Sequence, residues 1–84
     1  MITLKNTDVQ TLYWWTLPKF SNNINEAIAK GTLAGQSQTT IDTPTTVNVL
    51  LALNKREFAA LGIASEGTTV TFINDGPGTY CTVL

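Results

Sequence analysis

The stretch from Thr45 to Ile63 constrains the fold more than any other part of the chain. Thr45-Thr46-Val47-Asn48-Val49-Leu50-Leu51-Ala52-Leu53 reads as a strand. Its odd positions are apolar from Val47 onward. Its even positions turn from polar Thr46 and Asn48 to apolar Leu50 and Ala52. A strand apolar on both faces along half its length belongs in the middle of a sheet, covered on both sides there. A short helix is predicted to follow. Asn54 has the side-chain oxygen of an N-cap, and Glu57 stands three residues on, the spacing of a capping box. Leu53 and Phe58 are spaced as a hydrophobic staple. Gly62 is placed to end the helix in a left-handed conformation, with Ile63 folding back onto Phe58.

The same reading extends along the chain. Met1 to Lys5 is predicted as a short strand with Ile2 and Leu4 inward, and Asn6-Thr7-Asp8 as a turn. Val9 to Leu17 fits a strand with Tyr13, Trp15 and Leu17 on one face and Leu12, Trp14 and Thr16 on the other. It also fits a helix capped by Thr7, but its Val, Thr and aromatic content favours the strand. Pro18 ends either version. Ser21 to Lys30 reads as a helix of two to three turns. Asn23 and Glu26 repeat the capping-box spacing, Ile24, Ala27 and Ile28 form a narrow stripe, and Gly31 stops it. Thr39 to Asp42 is a candidate edge strand, and Thr43-Pro44 turns into the central strand. Thr68 to Ile73 and Thr79 to Leu84 are predicted to form an antiparallel hairpin about the loop Asn74-Asp75-Gly76-Pro77-Gly78. The expected architecture is α+β over residues 1–84 as a single domain. It has a mostly antiparallel sheet of four to five strands with two short helices packed on one face.

Composition narrows the function classes. Charged residues are 13% of the chain, about half the usual share of roughly 25%. Polar character comes from neutral groups, with fifteen threonines among the 84 residues. A surface of hydroxyls and amides repels its neighbours weakly and tolerates close packing. The net charge is −1, and Lys5, Lys19, Lys30, Lys55 and Arg56 are scattered. Backbone binding to nucleic acid needs clustered cations, so direct nucleic-acid binding is disfavoured. There is no apolar run of membrane-spanning length and no basic-then-apolar signal pattern. The expected place is the cytosol where the chain is made, with a virus particle as the alternative.

The chain has no histidine, which removes His-dependent nucleophile pairs and His-bearing metal motifs together. Asp8, Glu26, Asp42, Glu57, Glu66 and Asp75 are spread singly, and the glycines form no phosphate-binding loop. A backbone anion nest at 74–78 and a carboxylate pair brought together in space are the residual routes to chemistry. Catalytic residues, metal ligands and cofactors are therefore all expected to be absent. Cys81, the single cysteine, is expected to pack as a small hydrophobe.

The positive candidates are contact residues. Tyr13-Trp14-Trp15 puts adjacent aromatics on opposite strand faces, so either one tryptophan faces outward and anchors a contact or one packs on the sheet while the other lies under a helix or loop. Tyr80 opens an apolar run, Tyr80 to Leu84, which as an edge strand could pair with another subunit. The composition has the short, Thr- and Asn-rich, weakly charged character of small phage-encoded proteins, a likeness that rests on no particular residue. The leading expectation is a non-enzymatic structural or accessory protein acting by self-assembly or protein docking, such as a small phage-particle component. Its partner would be itself, as a homo-oligomer, or another protein. The alternative is a small inhibitor or sponge that sequesters a host factor or a small nucleotide ligand, with Trp14 or Trp15 stacking on it.

Overall fold

The computed structural model describes residues 1–43, 45–54, 57–75 and 78–84, with 54 and 57–59 described by backbone alone. Eight strands form two four-stranded sheets that pack face to face. The first sheet has the order β4-β1-β7-β8, from β1 (Ile2–Asn6), β4 (Gln38–Ile41), β7 (Thr69–Asp75) and β8 (Gly78–Val83). The second has the order β3-β2-β5-β6, from β2 (Leu12–Pro18), β3 (Ala29–Leu33), β5 (Val47–Asn54) and β6 (Glu57–Ala64). All neighbours are antiparallel except β1 and β7, which run parallel with Thr3 opposite Thr69.

The core lies between the sheets. Ile2 and Leu4 of β1, Val70 and Phe72 of β7, and Leu12, Val47, Val49 and Leu51 of the other sheet form one buried cluster. β5 is central and buried on both faces over Val47–Ala52, as its apolar pattern requires. Its even residues face the other way. Leu50 and Ala52 join Trp15 and Leu17 in a second cluster beneath Ile24 and Ala27. The segment after β2 therefore folds back over the outside of its own sheet.

The expected α+β fold is corrected to a β-sandwich of two four-stranded sheets, and neither predicted helix is found among the described residues. Residues 57–64 form β6, paired with Val47–Asn54 of β5 in a ladder whose register shifts on either side of Ala52. A single helix of about eight residues is marginal in water, whereas a strand here satisfies the free edge of β5. The capping side chains proposed for Asn54, Glu57 and Phe58 lie outside the described residues. The inward positions Ala60, Gly62 and Ala64 alternate as small residues because β8 passes close by. A Cβ on Gly62 would stand 2.9 Å from Val83 Cγ2 and 3.1 Å from Cys81 Sγ.

Over 21–30 the capping signal is real but brief. Asn23 accepts from the Asn25 amide and starts one 3₁₀ turn, Ile24–Glu26. The Glu26 carboxylate accepts from the Ser21 hydroxyl rather than closing a capping box. The chain then enters β3, with the Ile28 amide donating to Thr16 O at 2.7 Å. Gly31 stops no helix; it lies inside β3, opposite Trp14. The hairpin at 74–78 is tighter than the expected five-residue loop. The β7–β8 ladder reaches Asp75 opposite Gly78, and Gly76 and Pro77 lie outside the described residues, as does Pro44.

Asn6 ties the sheets together where β1 crosses to β2 and β3 crosses to β4. It is 1% exposed. Its Nδ2 donates to Gln10 O at 2.9 Å, Ala34 O at 3.2 Å and Leu33 O at 3.4 Å. Its Oδ1 accepts from the Asp8 amide at 3.0 Å. Gln36, at φ 55, donates its amide to Asp8 O at 2.8 Å, so the two crossovers also bond each other. Buried polar groups must find partners, and here one amide side chain serves both crossovers.

Candidate functional site

The strand read over Val9 to Leu17 is present as Leu12–Pro18, which places Tyr13, Trp14 and Trp15 together on β2, with the two tryptophans on opposite faces of the second sheet. Trp14 points between the sheets and packs against the main core. Its ring occupies the space above Gly31, where a Cβ would lie 2.7 Å from Cζ2. Its Nε1 is buried without a hydrogen-bond partner among the described residues. Trp15 faces the other way but is covered by the returning segment, at 8% exposed. The indole that leaves the inter-sheet layer is thus covered by the protein's own chain.

Tyr13, Trp14, Trp15, Ile24, Lys30, Gly31 and Thr32 line an open groove of about 450 Å³ along β2 and β3. Tyr13 is half-buried in it and Lys30 is exposed at its rim. Tyr80 does not join this group. It sits on β8, in the other sheet, on the face it shares with Ile73. There it is 44% exposed.

Tyr80 belongs to a second surface, where the edge strands β6 and β8 lie against each other through Gly62, Cys81 and Val83. Exposed apolar side chains flank this edge on both sides: Leu61 and Ile63 on the outer face of β6, Tyr80 on the outer face of β8, and Val83 and Leu84 at the end of β8. Sequence reasoning missed Leu61 and Ile63 because Leu61 fell in the predicted helix and Ile63 in the turn-back predicted to end it. The period-two alternation of small Ala60, Gly62 and Ala64 with large Leu61 and Ile63 is the signal that identifies them. Natural edge strands are blunted by shortness, charge or proline. On the opposite flank β4 has four residues and β3 carries Lys30. Gly78–Val83 carries no charge and no proline, and neither does 60–64.

The remaining chemistry is sparse. Cys81 is half-buried between β8 and β6, and burial pushes its thiol pKa up, away from a reactive thiolate. Among the described residues no three His, Cys, Asp or Glu side chains gather where they could hold a metal ion. No helix in the described residues is long and apolar enough to cross a membrane. Phe20 is exposed, at φ 75, with Lys19 Nζ 5.1 Å from its ring centroid. No known family matches the chain, and neither a curated protein nor a solved structure does.

Proposed function

We propose that this protein acts without catalysis, as a structural or accessory subunit that docks its strand-edge and apolar surface against copies of itself or another protein. The observation that carries this reading is the unguarded β6–β8 flank. Two neighbouring edge strands there expose Leu61, Ile63, Tyr80, Val83 and Leu84 with no charge among 60–64 or 78–83. Free backbone donors and acceptors beside apolar side chains are the chemistry of strand addition. The low charge of the whole surface supports it, since close approach of subunits meets little repulsion. Light scattering across a concentration series is expected to give a defined mass above that of one chain, which is 9.1 kDa. A monomer at every concentration that also binds no larger assembly would end this reading.

The groove along β2 and β3 supports a second reading, capture of a small planar ligand such as a nucleotide base. Trp15 is covered and Trp14 turns inward, so the ring most open to such a ligand is Tyr13. A ligand seated there lies against the rims of both indoles and alters their fluorescence. Unchanged emission across a panel of nucleotides would remove this reading and leave the first untouched.

A further inference from the structure

We infer that β8 is the homodimer contact, pairing antiparallel with β8 of a second copy about a twofold axis at Cys81. This inference rests on the self-assembly reading and gives it a partner, a strand and a register.

The ladder shows which backbone groups are free. Thr69 and Leu84 exchange both of their backbone hydrogen bonds, at 2.9 and 3.3 Å. In an antiparallel pair such bonded residues alternate with non-bonded ones. Thr82, Tyr80 and Gly78, opposite Thr71, Ile73 and Asp75, therefore turn their amides and carbonyls toward β7. The amides and carbonyls of Thr79, Cys81 and Val83 point away from β7, along an edge to which no described strand is hydrogen-bonded, while β6 packs against the inward side chains of Cys81 and Val83.

That edge is complementary to itself. Pairing Cys81 with Cys81 of the second copy places Thr79 opposite Val83 of that copy, and Val83 opposite its Thr79. All three outward residues then sit in bonded pairs, each exchanging two hydrogen bonds. Sliding the register by two residues in either direction loses one of these pairs. The strand carries no charge, so twofold pairing sets no like charges against each other, and a closed twofold contact is the commonest oligomer geometry. The other edges of the molecule fit less well. β4 is short, β3 would bring two copies of the exposed Lys30 close to a central axis, and the β5–β6 ladder is irregular around Ala52. Pairing at β8 also brings the exposed Val83 and Leu84 against the second copy. The result is one eight-stranded sheet running through both copies.

The register predicts a specific neighbour. Tyr80 faces Thr82 of the second copy across a non-bonded pair, where side chains come closest. Both are on the outer face of the sheet, away from the core. A Tyr80→Lys/Thr82→Lys double variant sets two like-charged pairs at the axis. It is expected to keep its circular dichroism and raise the dimer dissociation constant at least about tenfold. A Tyr80→Glu/Thr82→Glu variant should behave alike when alone. Mixing the two should restore dimers, and these should be heterodimers by native mass spectrometry. If the natural chain associates and both variants associate equally well, the β8 contact is wrong while self-assembly stands. If the natural chain stays monomeric alone, the second copy is wrong as the occupant of this edge. Binding of a larger assembly by that monomer would then keep the docking reading.

Discussion

Replacing Asn6 by Asp is expected to destabilise the protein strongly at neutral pH, by about 3–5 kcal/mol. The Asn6 amide nitrogen faces the carbonyls of Gln10, Leu33 and Ala34. A carboxylate oxygen in its place turns three attractive contacts into three repulsive ones in a buried site. Native stability for a domain of this kind is only about 5–15 kcal/mol, so such a loss is a large part of the whole. The pH dependence separates this cause from simple loss of packing. The buried carboxyl is forced toward its neutral form, so its pKa in the folded state is raised above the unfolded value. The penalty is then full above the folded pKa and fades as pH falls toward the unfolded one, near 3.9 for aspartate. Asn6→Leu keeps the volume and discards the hydrogen bonds. It should cost about 2–4 kcal/mol with no such pH dependence. Urea unfolding of both variants at pH 7 and pH 4 makes the comparison. Stabilities near that of the natural chain, or identical pH profiles, would show that the crossovers do not depend on Asn6.

The second large effect concerns Trp14 and Gly31. By strand propensity alone, Gly31→Val should stabilise β3, because glycine weakens strands and valine favours them. The structure reverses the sign. A Cβ at position 31 meets the Trp14 ring at 2.7 and 2.9 Å. Gly31→Val is expected to cost about 2–3 kcal/mol through overpacking, and Trp14→Ala about 3–5 kcal/mol through the void it leaves. The double variant is the decisive member of the cycle. With the indole gone, valine at 31 fills part of the void, so the double variant should be more stable than Trp14→Ala alone. Additive losses would mean that the indole does not rest on Gly31.

These two sites show what was and was not legible in the chain. Alternation of apolar and polar residues located β1, β5, β7 and the returning strand β8, because half-buried strands write their burial into neighbouring residues. β3 and β6 were misread as helices because local signals spoke first. Asn23 is a true cap, yet it caps a single turn. Gly31 looks like a helix stop when its actual partner, Trp14, is seventeen positions away on β2. Asn6 looks like an ordinary turn residue, since its acceptors Leu33 and Ala34 lie 27 and 28 positions further on. The opposed faces of Trp14 and Trp15 could be read from strand geometry. The cover over Trp15 could not, since it depends on where the chain returns after Pro18. Tyr80 was legible as part of a candidate edge strand, whereas Leu61 and Ile63 beside it were not, because their strand was taken for a helix.

The parallel pairing of β1 with β7 has a consequence for the order in which the chain can be built. β1 is the first strand to be synthesised, and its neighbours are β4 and β7. The hairpins β2–β3 and β5–β6 can close from local contacts as they emerge. β1 can pair with β4 once Gln38 to Ile41 are made, but its other edge must wait until Thr69 to Phe72 have been made. Folds dominated by such distant pairings fold slowly, because the chain must close long loops before the contacts reward it. β1 is therefore among the last of the described strands to gain both of its neighbours, although it precedes the other seven in the sequence.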